Sequence, residues 1–365
     1  MTSSETVPTT PAIPSAPAHE AAGSQGAFAR FQASRYRWRL LLLSTVMVAL
    51  SLLGFWVNVR DPQIGAPLRA GLDFRGGTSI QLELACHDPG PCDASERLQL
   101  PVVRSLLADL PLEPAGDRQP APTPASFNLQ LLDNGEGVLL RSTALTIAQA
   151  QAIEERLATA ESIAPLQRER TQVDTIGPAL GAQLLNAALQ ALAAAFLGVA
   201  GYIAIRFSPV NSVLALGALV HDVVIVAGLF AWLGQLLDVE VGSLFAVALL
   251  TLAGYSVNDT VVVFDRIRET DRLQPYLDIT ARIDRSVAAS LVRSLNTSIT
   301  TELPVLALAL FSGGELRWFA VALAFGIGVG TYSSLFVAPL WLGLLKKDPV
   351  RKPAADVTGS TSSFP

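Results

Sequence analysis

Charged side chains are scarce in this chain of 365 residues: 16% of them are Asp, Glu, Lys or Arg, whereas 50% are hydrophobic. A typical soluble domain carries about 25% charged residues, so the chain has too little polar surface to cover one large soluble enzyme. Its net charge of −5 argues against a nucleic-acid-binding protein. The chain has only three His and two Cys, so we expect no metal site and no other cofactor. A polytopic membrane protein is the class that remains.

Long apolar runs account for the missing charge. A membrane helix needs roughly 20 mostly apolar residues to cross the hydrocarbon. The predicted spans are 39–58, 182–205, 210–236, 241–264, 294–311 and 318–345. A cleaved signal peptide is the alternative for the first run, but this run begins late and no clear cleavage site follows it. The last five spans follow one another closely, except for a predicted charged loop over 265–293.

Lys and Arg are distributed unevenly among the predicted connections. They concentrate in the N-terminal arm (1–38), at Arg206, in the loop 265–293 and in the tail 346–365, whereas the alternate loops are mostly acidic. Loops rich in Lys and Arg stay on the cytoplasmic side of a membrane. We therefore expect both termini to be cytoplasmic and residues 59–178 to lie outside. The arm and the tail are predicted to be disordered and without chemistry of their own.

Residues 59–178 have the pattern of a small α+β domain. Four strands are predicted at 78–85, 127–132, 138–141 and 165–175, and two helices at 94–110 and 146–160, the second capped by Thr146. The sequence DNGEG at 133–137 is a strong hairpin signal, and the Pro-rich stretch 111–124 is predicted to be a loop. The order β-α-β-β-α-β predicts a ferredoxin-like domain inserted between the first two spans.

Cys86 and Cys92 lie in the loop that follows the first predicted strand. A disulfide between them is expected if the compartment oxidises thiols. Two free thiols are an alternative. A metal site with His87 is another, although it would have three ligands at most.

Polar and ionisable side chains interrupt three of the predicted spans. A charge at the bilayer centre costs at least about 2.5 kcal/mol on insertion scales, so each one needs a partner, water or a function. These residues are His221 and Asp222 in the third span, Asn258 and Asp259 in the fourth, and Arg293, Asn296, Thr297 and Thr300 at the start of the fifth.

The four residues of the fifth span recur at spacings of three and four, so they share one helix face. We expect this face to point into the bundle or a water-filled cavity. Asp259 is the expected partner of Arg293, whose charge favours the ionised carboxylate while burial favours the neutral acid. That competition suits a proton-binding switch, but a purely structural ion pair is the alternative. Both interpretations are open for Asp222, since His221 could satisfy it.

Four motifs resemble segments of the SecD/SecF family of translocon accessory subunits. They are GLDFRGGT at 71–78, HDVV at 221–224, GYSVNDTVVVFDRIRE at 254–269 and RSLNTS at 293–298. The last three resemble the third, fourth and fifth helices of the SecF branch, and the resemblance covers about 40–345. Because the four motifs occur in the family's order, the resemblance is highly specific. The Pro-rich loop and the cysteine loop make the outer domain longer than in the shortest members.

The resemblance implies a function in protein export across a bacterial cytoplasmic membrane, or across an internal energy-transducing membrane. A chain of this family would form a twelve-helix assembly of the RND type with SecD. It would assist SecYEG in translocating unfolded polypeptides, using the proton motive force, and YajC and YidC are further partners that the family suggests. By motif position, Asp259 and Arg293 would be the proton-relay pair, and SecD would supply another carboxylate.

The motif at 71–78 is expected to couple the outer domain to the membrane helices. Its candidate hinge residues are Asp73, Arg75, Gly76 and Gly77, although a plain tight turn would explain the two glycines equally well. Three other functions compete with protein export. A drug exporter of the RND type would have two outer insertions and twelve spans, a scaffold would need no buried charge pair, and an enzyme would need a nucleophile, metal or phosphate site.

Overall fold

The computed structural model describes residues 32–62, 64–85, 97–108, 110, 127–132, 135–142, 145–160, 166–167 and 171–346. Within these residues there are six helices that are long and apolar enough to cross a membrane, and a four-stranded antiparallel sheet between the first two. The predicted class, a multi-pass helical membrane protein with an inserted α+β domain, is confirmed. Cys86, Cys92, the Pro-rich stretch 111–124 and most of both termini lie outside the described residues, so the alternatives for the cysteines stay predictions.

The six long helices are named TM1 to TM6, and together they form the membrane bundle. A short 3-10 turn, Ala33–Tyr36, precedes TM1. The helices are TM1 Arg37–Arg60, TM2 Pro178–Arg206, TM3 Pro209–Leu237, TM4 Ser243–Leu273, TM5 Ile279–Phe311 and TM6 Gly314–Leu345. TM2 and TM3 both begin with proline, whose fixed backbone angle and missing N–H suit the first position of a helix. TM3, TM4 and TM6 bury the most side chains and form the centre of the bundle.

The charged segment 265–293 is mostly helical, so its prediction as a loop is wrong. TM4 continues to Leu273 and TM5 begins at Ile279, which leaves a connection of only a few residues. The apolar run ends well before the helix does, because Arg and Glu are good helix formers when they face solvent. Asp278 caps TM5, and its carboxylate accepts a hydrogen bond from the N–H of Ala281 at 3.1 Å.

The inserted domain has the predicted ferredoxin-like topology. Its strands are β1 Gly77–Glu83, β2 Asn128–Leu132, β3 Gly137–Ser142 and β4 Gln172–Ile176, in the sheet order β2-β3-β1-β4. Every pairing is antiparallel. A single helical turn, α1 Leu72–Arg75, precedes the sheet. Two further helices, α2 Leu100–Leu107 and α3 Ile147–Ala158, pack on the sheet through a shared apolar core. The capping role predicted for Thr146 is confirmed, since its hydroxyl accepts from the N–H of Gln149 at 3.3 Å.

Two elements of this domain are shorter than predicted. Helix α2 begins only at Leu100, where a proline occupies one of its first two positions, and residues 97–99 are not helical. The last strand was predicted over 165–175, but β4 covers Gln172–Ile176 and Leu166 forms only an isolated bridge with Leu84. Alternating apolar residues therefore mark the neighbourhood of this strand better than its ends.

Candidate functional site

Asp259 lies in the middle of TM4 and is 5% exposed. Its Oδ1 accepts a hydrogen bond from the hydroxyl of Ser294 on TM5 at 3.2 Å. No group among the described residues donates to its Oδ2, although that oxygen is buried. A buried carboxylate is costly unless it is paired, hydrogen-bonded or protonated. Asp259 therefore has capacity for a proton or a further partner on one oxygen.

Ser294 belongs to a stripe of small residues on the buried face of TM5. The stripe repeats every four residues, and its members are Ser286, Ser290, Ser294 and Ser298. Small side chains allow two helices to approach closely, so TM5 can lie directly against TM4 along this face. The same stripe extends a polar contact to TM6, because the hydroxyls of Ser298 and Thr331 are 2.6 Å apart.

The structure does not bring the side chain of Arg293 into an ion pair with Asp259; the neighbouring Ser294 makes the contact instead. Consecutive residues on a helix point about 100° apart. Since Ser294 faces TM4, Arg293 faces outward and is exposed on this chain. A shared role for the two residues in proton transfer stays a prediction.

The predicted polar face of TM5 also points away from this chain. Arg293, Asn296, Thr297 and Thr300 are all exposed, so they do not point into the bundle of this chain. The other expected surrounding, a water-filled cavity, stays a prediction. Thr300 donates back to the carbonyl of Asn296 at 2.9 Å. The serine stripe occupies the inner face, which leaves these side chains on the outer one. Asn258 of TM4 is exposed as well.

Asp222 of TM3 has a very different environment, which we call the Asp222 network. The carboxylate is 0% exposed. Its Oδ2 accepts hydrogen bonds from Ser256 of TM4 at 2.6 Å and from Ser333 of TM6 at 2.7 Å. Its Oδ1 is 2.9 Å from Nδ1 of His221. The two residues thus satisfy each other, and two more helices contribute hydroxyl groups to the pair.

His221 extends this network to TM1. Its Nε2 is 2.7 Å from the hydroxyl of Ser44, and its ring meets Trp341 edge to face at a centroid distance of 6.3 Å. The imidazole is buried together with Asp222. Four of the six membrane helices therefore meet at this one pair of side chains.

TM6 reaches the network through an irregular turn. Residues Ser333–Val337 form a π-helical turn between the regular segments Gly314–Tyr332 and Ala338–Leu345. Such turns occur often at functional sites in helices. Ser333 donates to Asp222, and the hydroxyl of Ser334 is 2.9 Å from that of Thr260 on TM4. The wide turn thus gives two consecutive serines polar contacts with the neighbouring helices.

Asp73 connects the inserted domain with the beginning of TM4. It lies in α1, a single helical turn over Leu72–Arg75. Its Oδ2 accepts hydrogen bonds from both the backbone N–H, at 2.7 Å, and the hydroxyl of Ser243, the first residue of TM4. A carboxylate at this position accepts a hydrogen bond from a free N–H, and its negative charge interacts favourably with the positive end of the helix dipole. Asp73 therefore caps the helix that carries Asp259.

The glycines after Asp73 are required by the local backbone geometry. A Cβ on Gly77 would lie 2.4 Å from the carbonyl oxygen of Ser142, and the φ angle of Gly77 is 143°. Gly76 has a φ angle of 71°, in the left-handed region that favours glycine. Arg75, by contrast, is exposed. These features explain the glycines without a hinge, so a hinge function for Asp73, Arg75, Gly76 and Gly77 stays a prediction.

A second contact between the sheet and the bundle is ionic. Nη1 of Arg141 on β3 lies 3.0 Å from Glu240 Oε2, in the connection between TM3 and TM4, and its Nη2 lies 3.9 Å from Glu315 Oε1 at the start of TM6. Burial raises the pKa of Glu240 above its usual range, and the charges of Arg141, Arg69 and Arg75 offset only part of this rise. Arg141 thus joins the inserted domain to the TM3–TM4 connection and to the start of TM6.

Sequence reasoning found the ionisable residues but missed their partners. The hydrogen bonds of Ser44, Ser256, Ser294 and Ser333 to these residues were not predicted, because a serine in an apolar helix usually bonds its own backbone. Within the described part of the chain, no group of His, Cys, Asp and Glu forms a possible metal site.

A family model described as "Protein export membrane protein SecD/SecF, C-terminal" matches residues 157–348. A protein translocase subunit SecF of Prochlorococcus marinus is 43% identical over 87% of this chain and 96% of its own length. The SecF subunit of Synechocystis is 37% identical with the same two coverages.

A solved structure of SecDF from Thermus thermophilus, described as a translocon-associated membrane protein, is similar in fold. Its TM-score is 0.67 at 29% identity, over 85% of this chain. Our chain spans 38% of the length of that solved chain. A second SecDF structure, in a super-membrane-facing form, gives a TM-score of 0.51 at 27% identity. From these matches, the chain belongs to the SecF branch of the SecD/SecF family of protein-export membrane proteins.

Proposed function

We propose that this chain assists SecYEG-dependent protein translocation as the partner of SecD, and that the proton motive force drives its action through Asp259. The relatives named as translocase subunits and the SecDF structures support the export role. Lys and Arg are in excess before TM1, after TM6 and between TM4 and TM5. This distribution supports cytoplasmic termini, in the bacterial inner membrane.

The observation that carries this proposal is the state of the Asp259 carboxylate. It is buried, has one hydrogen bond of 3.2 Å, and leaves its second oxygen without a donor from the described residues. A group in this state gains a proton at little structural cost, because no existing contact of that oxygen is broken. Loss of the proton creates a charge that needs a cation or water. Arg293 is the residue directly before Ser294 on TM5. Proton binding and release are thus linked to the packing of TM4 against TM5.

The outer face of TM5 supports a partner that completes the membrane assembly. Arg293, Asn296, Thr297 and Thr300 are exposed on this chain, and exposing such a stripe to lipid is costly. We propose that SecD covers this face and supplies a carboxylate near Arg293. The 38% coverage of the solved SecDF chain leaves a larger part of that protein to occupy such a position.

Movement at Asp259 has a direct route to the inserted domain. Asp259 and the capped residue Ser243 belong to the same helix, and Asp73 holds Ser243 from the domain side. Moving one charge through 100 mV supplies about 2.3 kcal/mol, which shifts a two-state equilibrium roughly 50-fold. A displacement of TM4 driven by this energy is passed on to β1 through α1. This domain then acts on the exported polypeptide.

The test is export of a precursor protein into membrane vesicles, with and without an imposed proton gradient. We expect wild type to show gradient-dependent stimulation and Asp259→Asn to lose it, because the amide cannot bind and release a proton. Arg293→Ala is expected to reduce the stimulation strongly.

The matched control is Asp265→Asn, which removes a carboxylate from the same helix. Asp265 is half-buried and pairs with Arg206 at 2.7 Å, and surface ion pairs contribute little. Its loss should therefore leave stimulation within about twofold of wild type. If Asp259→Asn exports like wild type at equal abundance and with SecD bound, Asp259 has no part in the mechanism. The chain would then be a structural scaffold of the translocon.

A further inference from the structure

The Asp222 network encloses a carboxylate that the proposed proton pathway does not use. Two serine hydroxyls, from TM4 and TM6, donate to it, and the imidazole of His221 on TM3 lies within hydrogen-bond distance. His221 and Asp222 are both buried, with exposed fractions of 5% and 0%. Such a site has to balance its charge from its own groups.

Charge balance then fixes the proton content of the site. Among the described residues, His221 is the only basic side chain that forms an ion pair with Asp222. An ionised carboxylate beside a neutral imidazole would leave a net charge of −1 in the bundle centre, which is costly. One bound proton removes this charge, whether it sits on the imidazole or on the carboxyl group. The two side chains therefore share one proton when the site is neutral.

We propose that His221 and Asp222 form a proton-binding site distinct from Asp259, and that its bound proton keeps TM6 packed on TM3 and TM4. This inference goes beyond the proposed export function and does not depend on it, since it concerns the folded chain alone.

The geometry links the proton to helix packing in two ways. Asp222 Oδ2 accepts from Ser256 and Ser333 together, so one oxygen joins TM4 and TM6. Gly330 lets these helices approach: its Cβ would lie 3.2 Å from the Cβ of Ser256 and 3.7 Å from Asp222 Oδ2. Asp222 is 0% exposed, so bulk water does not reach the carboxylate in this packing. Loss of the proton favours hydration of the negative charge, which requires TM6 to separate from its neighbours.

Other titratable groups around the site have partners of their own. Asp259 on TM4 bonds Ser294 of TM5, and the Tyr332 hydroxyl on TM6 donates to the carbonyl of Leu40 at 2.6 Å. TM1 contributes the uncharged Ser44, and on TM2 the cation nearest to TM3 in sequence, Arg206, pairs with Asp265. The second half of TM6 contributes the uncharged ring of Trp341.

The first readout is nuclear magnetic resonance of the full chain in lipid vesicles. The chain contains three histidines, so His19→Asn and His87→Asn leave His221 as the only one. With ¹⁵N-labelled His and ¹³C-labelled Asp, we expect the imidazole and the Asp222 carboxyl signals to change together at one pH. Asp222→Asn should abolish this change and leave a neutral imidazole, whereas Asp259→Asn should retain it.

The second readout is the distance between TM3 and TM6. Spin labels at Val220 and Gly328, both exposed, are placed in a chain whose Cys86 and Cys92 are replaced by Ser. The distance should increase as the pair loses its proton, and Asp222→Asn should keep the short distance at every pH. If Asp222→Asn does not fold, His221→Gln serves instead, with Asp222 then carrying the proton as a neutral acid.

The proposal is overturned if the His221 signals do not change with pH while the chain is folded. It is also overturned if Asp222→Asn leaves the pH dependence of these signals unchanged. A TM3–TM6 distance that stays constant while the signals change with pH would overturn it as well. None of these results bears on gradient-driven export through Asp259, which the vesicle assay tests separately.

Discussion

Two buried carboxylates in the bundle lie in opposite kinds of surroundings. Asp222 receives two serine hydroxyls and an imidazole at 2.6–2.9 Å, from three helices that pack tightly around it. Asp259 has one hydroxyl at 3.2 Å, and its second oxygen has no donor from the described residues. A fully satisfied polar group makes packing specific, whereas a partly satisfied one is open to change. The same type of side chain thus holds helices together at Asp222 and is open to proton binding at Asp259.

The largest effect should come from overfilling the packing around Asp222. Gly330→Val places side-chain atoms against Ser256, where even a Cβ would be 3.2 Å from the Ser256 Cβ. Overpacking of this kind costs about 1–3 kcal/mol. We expect Gly330→Val to lower the free energy of unfolding, measured by denaturation of the purified chain in detergent, by about 3 kcal/mol.

Gly328 on the same helix is the matched control. No heavy atom lies within 4 Å of the position of its Cβ, and the residue is exposed. Gly328→Val should therefore change the unfolding free energy little. Equal losses for the two variants would show that TM6 is not closely packed at Gly330.

Removing one serine hydroxyl that donates to each carboxylate compares the two sites directly. Ser256→Ala takes a short bond from a completely buried acceptor, and hydrogen bonds to charged groups contribute about 1.5–3 kcal/mol. Ser294→Ala takes a longer bond from Asp259, so we expect a loss of at most about 1 kcal/mol. The same denaturation experiment measures both, and a larger loss for Ser294→Ala would reverse the ranking of the two sites.

The cap on TM4 should have a smaller effect on stability. Asp73→Ala removes the acceptor for the N–H of Ser243, and the loss of a helix cap costs about 0.5–2 kcal/mol. Hydrogen exchange of the amides near Ser243 should accelerate while those near Asp259 stay protected. Asp174→Ala, an exposed position on β4, is the control and should leave the amides of TM4 unchanged. Faster exchange along all of TM4 would mean that the cap supports the whole helix.

The smallest effect should be the pH dependence of stability that comes from Glu240, in the connection between TM3 and TM4. Burial raises the pKa of Glu240 in the folded chain, so the folded state binds this proton more tightly than the unfolded state. The contribution of Glu240 to stability therefore falls as the pH rises from its unfolded pKa of 4.5 through its folded pKa. The difference in unfolding free energy between wild type and Glu240→Gln should show this slope. A difference that grows with pH would mean that the ion pair with Arg141 outweighs burial.

The sequence predicted those features that depend on neighbouring residues along the chain. Apolar runs located six spans, and alternation with the hairpin signal at 133–137 led to the strand order. Asp222 and Asp259 were visible because an acid in an apolar run is rare. The helical character of 265–293 was missed, since hydropathy reports lipid contact and carries no information about where a solvent-exposed helix ends.

Contacts between distant segments could not be predicted in the same way. Asp73 and Ser243 are separated by 170 positions, and their hydrogen bonds depend on how the inserted domain sits on the bundle. The orientation of TM5 was left open for a related reason: its serine stripe and its Arg–Asn–Thr face are both polar, and periodicity alone does not say which one packs inside this chain. The packing of TM4 decides it.

The π-helical turn in TM6 has a consequence for insertions and deletions. It accommodates one residue more than a regular turn, so the segment Ala338–Leu345 is rotated by about 100° relative to an uninterrupted α-helix. Deletion of a single residue within Ser333–Val337 would restore regular winding and turn this segment back by the same angle. Trp341 would then leave the ring of His221, and Leu340 and Leu342 would leave the core. The length of this short stretch is therefore as strictly determined as the identity of the serines it contains.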